Sequence, residues 1–270
     1  MPTLSKGTLL LAALCAAALA QSTPSAAPAP KLQAYTTSDR SASAGVPSGW
    51  KVTNGAQTVI VMTGPQNETI ALGNTLVIRN APFQLGQKPS NGVDLSIPNS
   101  DSLNDKYTMA MENGAALAGA PNPQIKITSS TPFQVPPSVG QCERVIASFT
   151  DTTGPMTIVS LMCSLPVDQG GTYKMIFKTA KAPPAVAQQE GPVASAVFAS
   201  YRIPSNMLQA KIAPFYVDPA VAAAETRAIL QQTATMNNAV NTQANCFDLT
   251  VLRETPQYQL PRSCGGPRPD

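Results

Sequence analysis

The chain contains no histidine. That absence excludes a Ser-His-Asp or Cys-His catalytic arrangement, a histidine general base and any histidine-ligated zinc site. Charge is also scarce: Asp, Glu, Lys and Arg make up 12% of the residues and aromatics 5%, with a single tryptophan. No Gly-x-Ser-x-Gly elbow, lysine-bearing phosphate loop or dinucleotide fingerprint occurs, so no cofactor and no catalytic residue is assigned. The net charge of +3 is too small to indicate a nucleic-acid partner. After the N-terminal segment, no apolar run approaches the roughly 20 residues needed to span a bilayer.

What is present begins with a targeting pattern. Lys6 precedes an apolar run from Gly7 to Leu19, which ends at Ala18-Leu19-Ala20. A short basic region, an apolar core and an A-x-A site are the parts of a secretory signal peptide, here residues 1–20, cleaved before Gln21. The run is too short for a membrane anchor. A lipoprotein reading through Cys15 is disfavoured by Leu14, where a small residue is wanted. With Lys6 removed, 18 basic residues fall to 17 against 15 acidic ones, a net charge of +2. Residues 21–46 are rich in Ala, Ser, Pro and Thr and read as a disordered leader. Residues 47–270 are enough for one domain.

Four cysteines remain beyond the signal: Cys142, Cys163, Cys246 and Cys264. An even number in an exported chain reads as disulfides, and four cysteines permit three pairings. Arg144–Thr150 and Met156–Met162 are strand-like and flank Asp151-Thr152-Thr153-Gly154, a hairpin turn. If Thr150 faces Pro155, paired residue numbers have a constant total, and Cys142 and Cys163 share it. They would face each other at bridging distance. Cys246 and Cys264 would then close the C-terminal loop. Free thiols and the crossed pairing are the alternatives.

Trp50–Thr53, Thr58–Thr63 and Thr69–Ile78 read as an antiparallel meander, with Asn54-Gly55 and Gly64–Asn67 as turns. Cys142–Phe149, Met156–Cys163 and Thr172–Lys178 form a second meander. Between them, at about residues 79–140, the signals weaken to an irregular insertion holding a short helix near Asp105–Leu117 and edge-strand pieces such as Gln124–Thr128. Lys181–Pro192 reads as a loop or linker, and Val193–Tyr201 as a strand or short helix. Asp218 and Pro219 suit the start of a helix running to about Asn238, with Ala222, Ile229, Thr233, Met236 and Val240 on one face. The expected fold class is α+β: a twisted antiparallel sheet of two meanders with one or more helices packed on it.

The remaining candidates for chemistry are carboxylates. Asp101 and Asp105 sit in Asn99-Ser100-Asp101-Ser102-Leu103-Asn104-Asp105, dense enough in oxygen ligands to be weighed as a calcium site, though without the glycine and terminal glutamate of the helix-loop-helix loop. The competing reading is a polar turn. Glu112 reads as a solvated residue. Lys174, Lys178 and Lys181 surround Phe177 and invite a ligand-binding reading. Lysines that protect an edge strand from aggregation explain them more simply.

Pro47-Ser48-Gly49-Trp50-Lys51-Val52, followed by the strands at Thr58–Thr63 and Thr69–Ile78, resembles the opening of PsbP/Mog1-like domains. The resemblance covers about 35 residues and implies a twisted antiparallel sheet between helices. It also implies an accessory or binding role rather than an enzymatic one, although fold does not fix function. The expectation is therefore a secreted or periplasmic binding or accessory protein, with a protein or small-molecule partner. An extracytoplasmic hydrolase using carboxylates near residues 94–112 and an envelope structural or assembly protein are the alternatives.

Overall fold

The computed structural model describes residues 30–133, 140–212 and 219–251. The expected signal peptide and the proposed Cys246–Cys264 pairing lie outside the described residues and side chains.

The two meanders are there, and they join. Strands β3 (Lys51–Ala56), β4 (Val59–Thr63) and β5 (Thr69–Arg79) form the first. Strands β8 (Gln141–Asp151), β9 (Gly154–Ser164) and β10 (Thr172–Ala182) form the second. β10 pairs antiparallel with β5 over Thr172↔Arg79 to Lys181↔Thr69, so both belong to one sheet. Its order is β3-β4-β5-β10-β9-β8-β7, with β7 spanning Lys126–Pro132 and a two-residue β6, Leu95–Ser96, running parallel to β5. In the β8–β9 hairpin Thr150 faces Pro155 and Cys142 faces Cys163, the register expected from the turn sequence. The two cysteines are bonded, with Cα atoms 4.1 Å apart.

The strands bury both faces. On β8, Val145, Ala147 and Phe149 point to one side, where α1 (Leu103–Leu117) packs with Leu103 and Tyr107. Cys142 and its β9 partner point to the other, toward α2 (Pro184–Ser200), α3 (Ser205–Ile212) and α4 (Pro219–Val251). The result is an α+β fold with helices on both faces of an antiparallel sheet. On α4 the expected apolar face is buried at Ala222, Ile229 and Met236. No helix among the described residues is long and apolar enough to cross a membrane.

Several expectations are corrected. The leader expected to be disordered to residue 46 contains a hairpin, β1 (Leu32–Thr36) with β2 (Ser43–Pro47). It has little apolar bulk of its own, but Ala42 and Ala44 are small enough to be buried in the helix-side core. Ser43 exchanges backbone hydrogen bonds with Arg202, and the Gly45 N–H donates to Ser200 Oγ at 2.8 Å. The insertion at about 79–140 does hold the expected short helix, α1, and edge strand, β7, and adds β6 to the sheet where described. Lys181–Pro192 is mostly helix: Pro184 occupies the first turn, where its missing N–H costs nothing, and the helix continues through Pro192.

The first hairpin turn is also displaced. Asn54 and Gly55 lie inside β3 beside a register shift, and the turn falls on Gln57 and Thr58, both at positive φ (53° and 68°). That conformation is unusual for these residues. It is held from outside, because the Gln57 N–H donates to Asp39 Oδ2 (2.9 Å) and the Thr58 N–H to Ser41 Oγ (2.7 Å). Gly55 is needed because a Cβ there would collide with the Tyr35 hydroxyl.

Candidate functional site

Between the sheet and α2 lies a cleft of about 630 Å³. Its floor follows from the strand register. Ile146 pairs with Val159, Val159 with Ala180, and Ala180 with Ile70, so one apolar row crosses four strands. Its roof is Ala187, Gly191 and Ala194 of α2. The small roof residues do not fill the space above this floor, whereas larger α2 residues such as Val197 and Phe198 are buried in the core.

Four charged side chains line this apolar space. Arg144, one step along β8 from Ile146 on the same face, is only 6% exposed. Among the described residues its Nε and Nη1 have no hydrogen-bond partner, and burial pushes the guanidinium below its ordinary value with no counter-charge there offsetting it. Glu68, 1% exposed, accepts from the Gln66 N–H through Oε2 at 2.7 Å and leaves Oε1 without a partner. Glu190 of α2 leaves its buried Oε2 without a partner. Burial, and then the neighbouring Glu68, raise its carboxyl above the usual range. Buried polar atoms are ordinarily paired, and an ionised group is the costliest to leave alone. Lys181, at the rim, is engaged by Asp151 at 2.9 Å. Burial would raise the Asp151 carboxyl, but hydrogen bonds from Thr153 and Lys181 bring it down to about 2. Trp50 closes the end near Glu68.

The lysine cluster is corrected. β10 is central in the sheet, not an edge, so edge protection does not apply. Lys178 is 1% exposed; its Nζ donates to the Phe198 carbonyl (3.2 Å) and to Asn237 Oδ1, and lies 5.3 Å from the Tyr201 ring centroid. Burial, and then the charge of Arg202, lower its pKa to about 7.

The carboxylates singled out in the sequence lie elsewhere, about α1 on the opposite face. Asp105 lies in the first turn of α1 and is engaged by the N-cap Ser102: its N–H donates to Ser102 Oγ (3.1 Å) and its Oδ2 accepts from the same hydroxyl (2.6 Å). Asp101 faces the buried Lys106, whose Nζ is held by Asn99 O (2.9 Å) and Oδ1 (3.1 Å). Glu112 accepts from Asn122 Nδ2 at 3.3 Å. Asp101, Asp105 and Glu112 are not gathered with a further ligand into a metal-binding group among the described residues. Arg144, Glu68 and Glu190 were not identified from sequence. The available signal was the alternation Cys142, Arg144, Ile146, which puts the arginine on the face of a buried cysteine.

No protein-family model matches the chain, and no curated protein matches it. Among solved structures it is similar to cyanobacterial PsbP (CyanoP) from Synechocystis sp., at 11% identity over 66% of this chain and 95% of that one, with a TM-score of 0.36. It is also similar to the Ran-binding protein Mog1p of Saccharomyces cerevisiae, at 9% identity over 78% and 98%, with a TM-score of 0.32. A third is LpqN, involved in cell envelope biogenesis of Mycobacterium tuberculosis, at 10% identity over 64% and 91%, with a TM-score of 0.31. These proteins share the PsbP/Mog1 fold. Likeness of this degree concerns the fold and carries nothing about function.

Proposed function

We propose that the protein is an exported, non-catalytic accessory protein that binds an elongated, largely apolar ligand in the cleft between the sheet and α2. The carrying observation is the cleft itself. It has the size of a small-molecule site, an apolar floor and a few converging polar groups, the usual make-up of such sites. Binding rather than catalysis is supported by the histidine-free sequence and by the chemistry of the lining, which offers arginine and glutamates but no activated nucleophile. Export is supported by the signal-peptide pattern of residues 1–20 and by the Cys142–Cys163 bond, which suits an oxidising compartment.

Titration with the neutral dye Nile red is expected to give saturable binding to the wild-type protein. Val159→Phe, which fills the floor, should weaken it about tenfold or more with the melting temperature retained. Unchanged dye binding in that variant would remove the cleft from the account. For export, intact-mass analysis of the secreted protein is expected to find Gln21 at the N-terminus; a retained Met1 in the cell pellet would contradict it.

A further inference from the structure

We infer that the cleft selects an elongated amphiphile bearing one carboxylate, which pairs with Arg144, while a hydrogen-bond donor at the molecule's other end meets Glu68 and Glu190. This deepens the binding reading above and rests on it.

The first support is Arg144. Its strand position puts it on the helix-side face, in one row with Leu161 of β9, Lys178 of β10 and Leu72 of β5. It is buried, it lines the cleft, and two of its nitrogens have no partner. A guanidinium stays protonated at any physiological pH, so it cannot escape burial by losing its charge. Among the described residues no acid answers it: Asp151 is taken by Lys181. Glu68 precedes β5, three strands away and four residues further along, on the order of 20 Å between backbones at ordinary strand spacing and rise. The missing partner is an anion brought by the ligand.

The second support is the ligand's shape and charge, read from the lining. A single guanidinium matches a single negative charge. A doubly charged phosphate would leave surplus negative charge in a cleft that already holds Glu68 and Glu190. A planar carboxylate also fits a guanidinium through paired hydrogen bonds. Between the charged ends, the floor of Val159, Ala180 and Ile70 offers only apolar contact, which suits an aliphatic chain. At the far end each glutamate has one oxygen without a partner, and the two are close enough to affect each other. Oxygens of this kind accept hydrogen bonds, so that end of the ligand carries an ammonium or a hydroxyl rather than a methyl group.

Calorimetric titration of the full exported chain with dodecanoate, 12-aminododecanoate and dodecanol tests this. The wild-type protein is expected to bind dodecanoate about tenfold or more tightly than dodecanol, as expected for a charged hydrogen bond. It should bind 12-aminododecanoate more tightly still. R144M should abolish the preference for the carboxylates over dodecanol. Its melting temperature should be equal or higher, because an uncompensated buried charge has been replaced by an apolar side chain of similar length. A structural arginine would instead lower it. E190Q should remove only the advantage of the amino group. If R144M does not fold, R144Q is read in the same way. Equal binding of dodecanoate and dodecanol by the wild type, or a carboxylate preference that survives R144M, would overturn this inference and leave the binding reading standing. Failure of all three probes to bind would overturn both.

Discussion

Lys178 shows how much a single side chain is asked to tolerate in this core. Its ammonium has two acceptors and an aromatic face, yet burial still favours the neutral form and brings its pKa to about 7. In the unfolded chain a lysine titrates near 10.4. Between these values the unfolded state binds more protons than the folded one, so stability rises with pH and is lost as pH falls through about 7. Unfolding free energy is expected to increase by about 2 kcal/mol from pH 7 to pH 9 in the wild type. The slope should disappear in Lys178→Met, as followed by urea denaturation. An identical slope in both would assign the effect to another group. From the sequence, Lys178 was one of three lysines on a strand, and nothing local separates a buried lysine from an edge one. What decides is the partner strand, β5, more than 90 residues earlier. Arg144 was nearer to being readable, since its alternation with Cys142 already places it inward.

At the scale of elements, the β8–β9 hairpin was legible because its information is local: a turn sequence sets the register and two cysteines confirm it. The Asn54-Gly55 turn was misread because the deciding contacts, from Asp39, Ser41 and Tyr35, come from a hairpin that composition alone assigned to disorder. The same dependence appears in β5. Gly73 is the extra residue at the register shift between Phe177 and Lys178, at φ 72°. A Cβ there would strike the Tyr201 hydroxyl and the Thr58 carbonyl, which are themselves hydrogen-bonded at 2.5 Å. Gly73→Ala combines backbone strain with a clash and is expected to cost about 2–4 kcal/mol, measured by chemical denaturation. A loss below about 0.5 kcal/mol would mean that the bulge relaxes at little expense. The helical character of residues 184–192 was hidden by its prolines, of which the first turn accepts Pro184 while Pro192 lies inside the helix.

Taken as a whole, the molecule is a sheet with helices on both faces, and the cleft arises where α2 faces the sheet with small residues. α1 brings Leu103 and Tyr107 against Val145 and Phe149 and fills its side. α2 brings Ala187, Gly191 and Ala194 over Ala180 and Val159 and leaves room. The α+β class and the two meanders were readable from β-branched runs and turn signals. The cleft was not, because it is made by the small residues of α2 and by charges scattered over β8, β10, α2 and the residue before β5. The single tryptophan, Trp50, borders this space and gives a direct report on it. Titrating the protein with dodecanoate while following Trp50 emission is predicted to give a saturable blue shift that Val159→Phe removes. An emission spectrum that does not change at any dodecanoate concentration, in a protein shown to be folded, would contradict the assignment of this cleft as a ligand site.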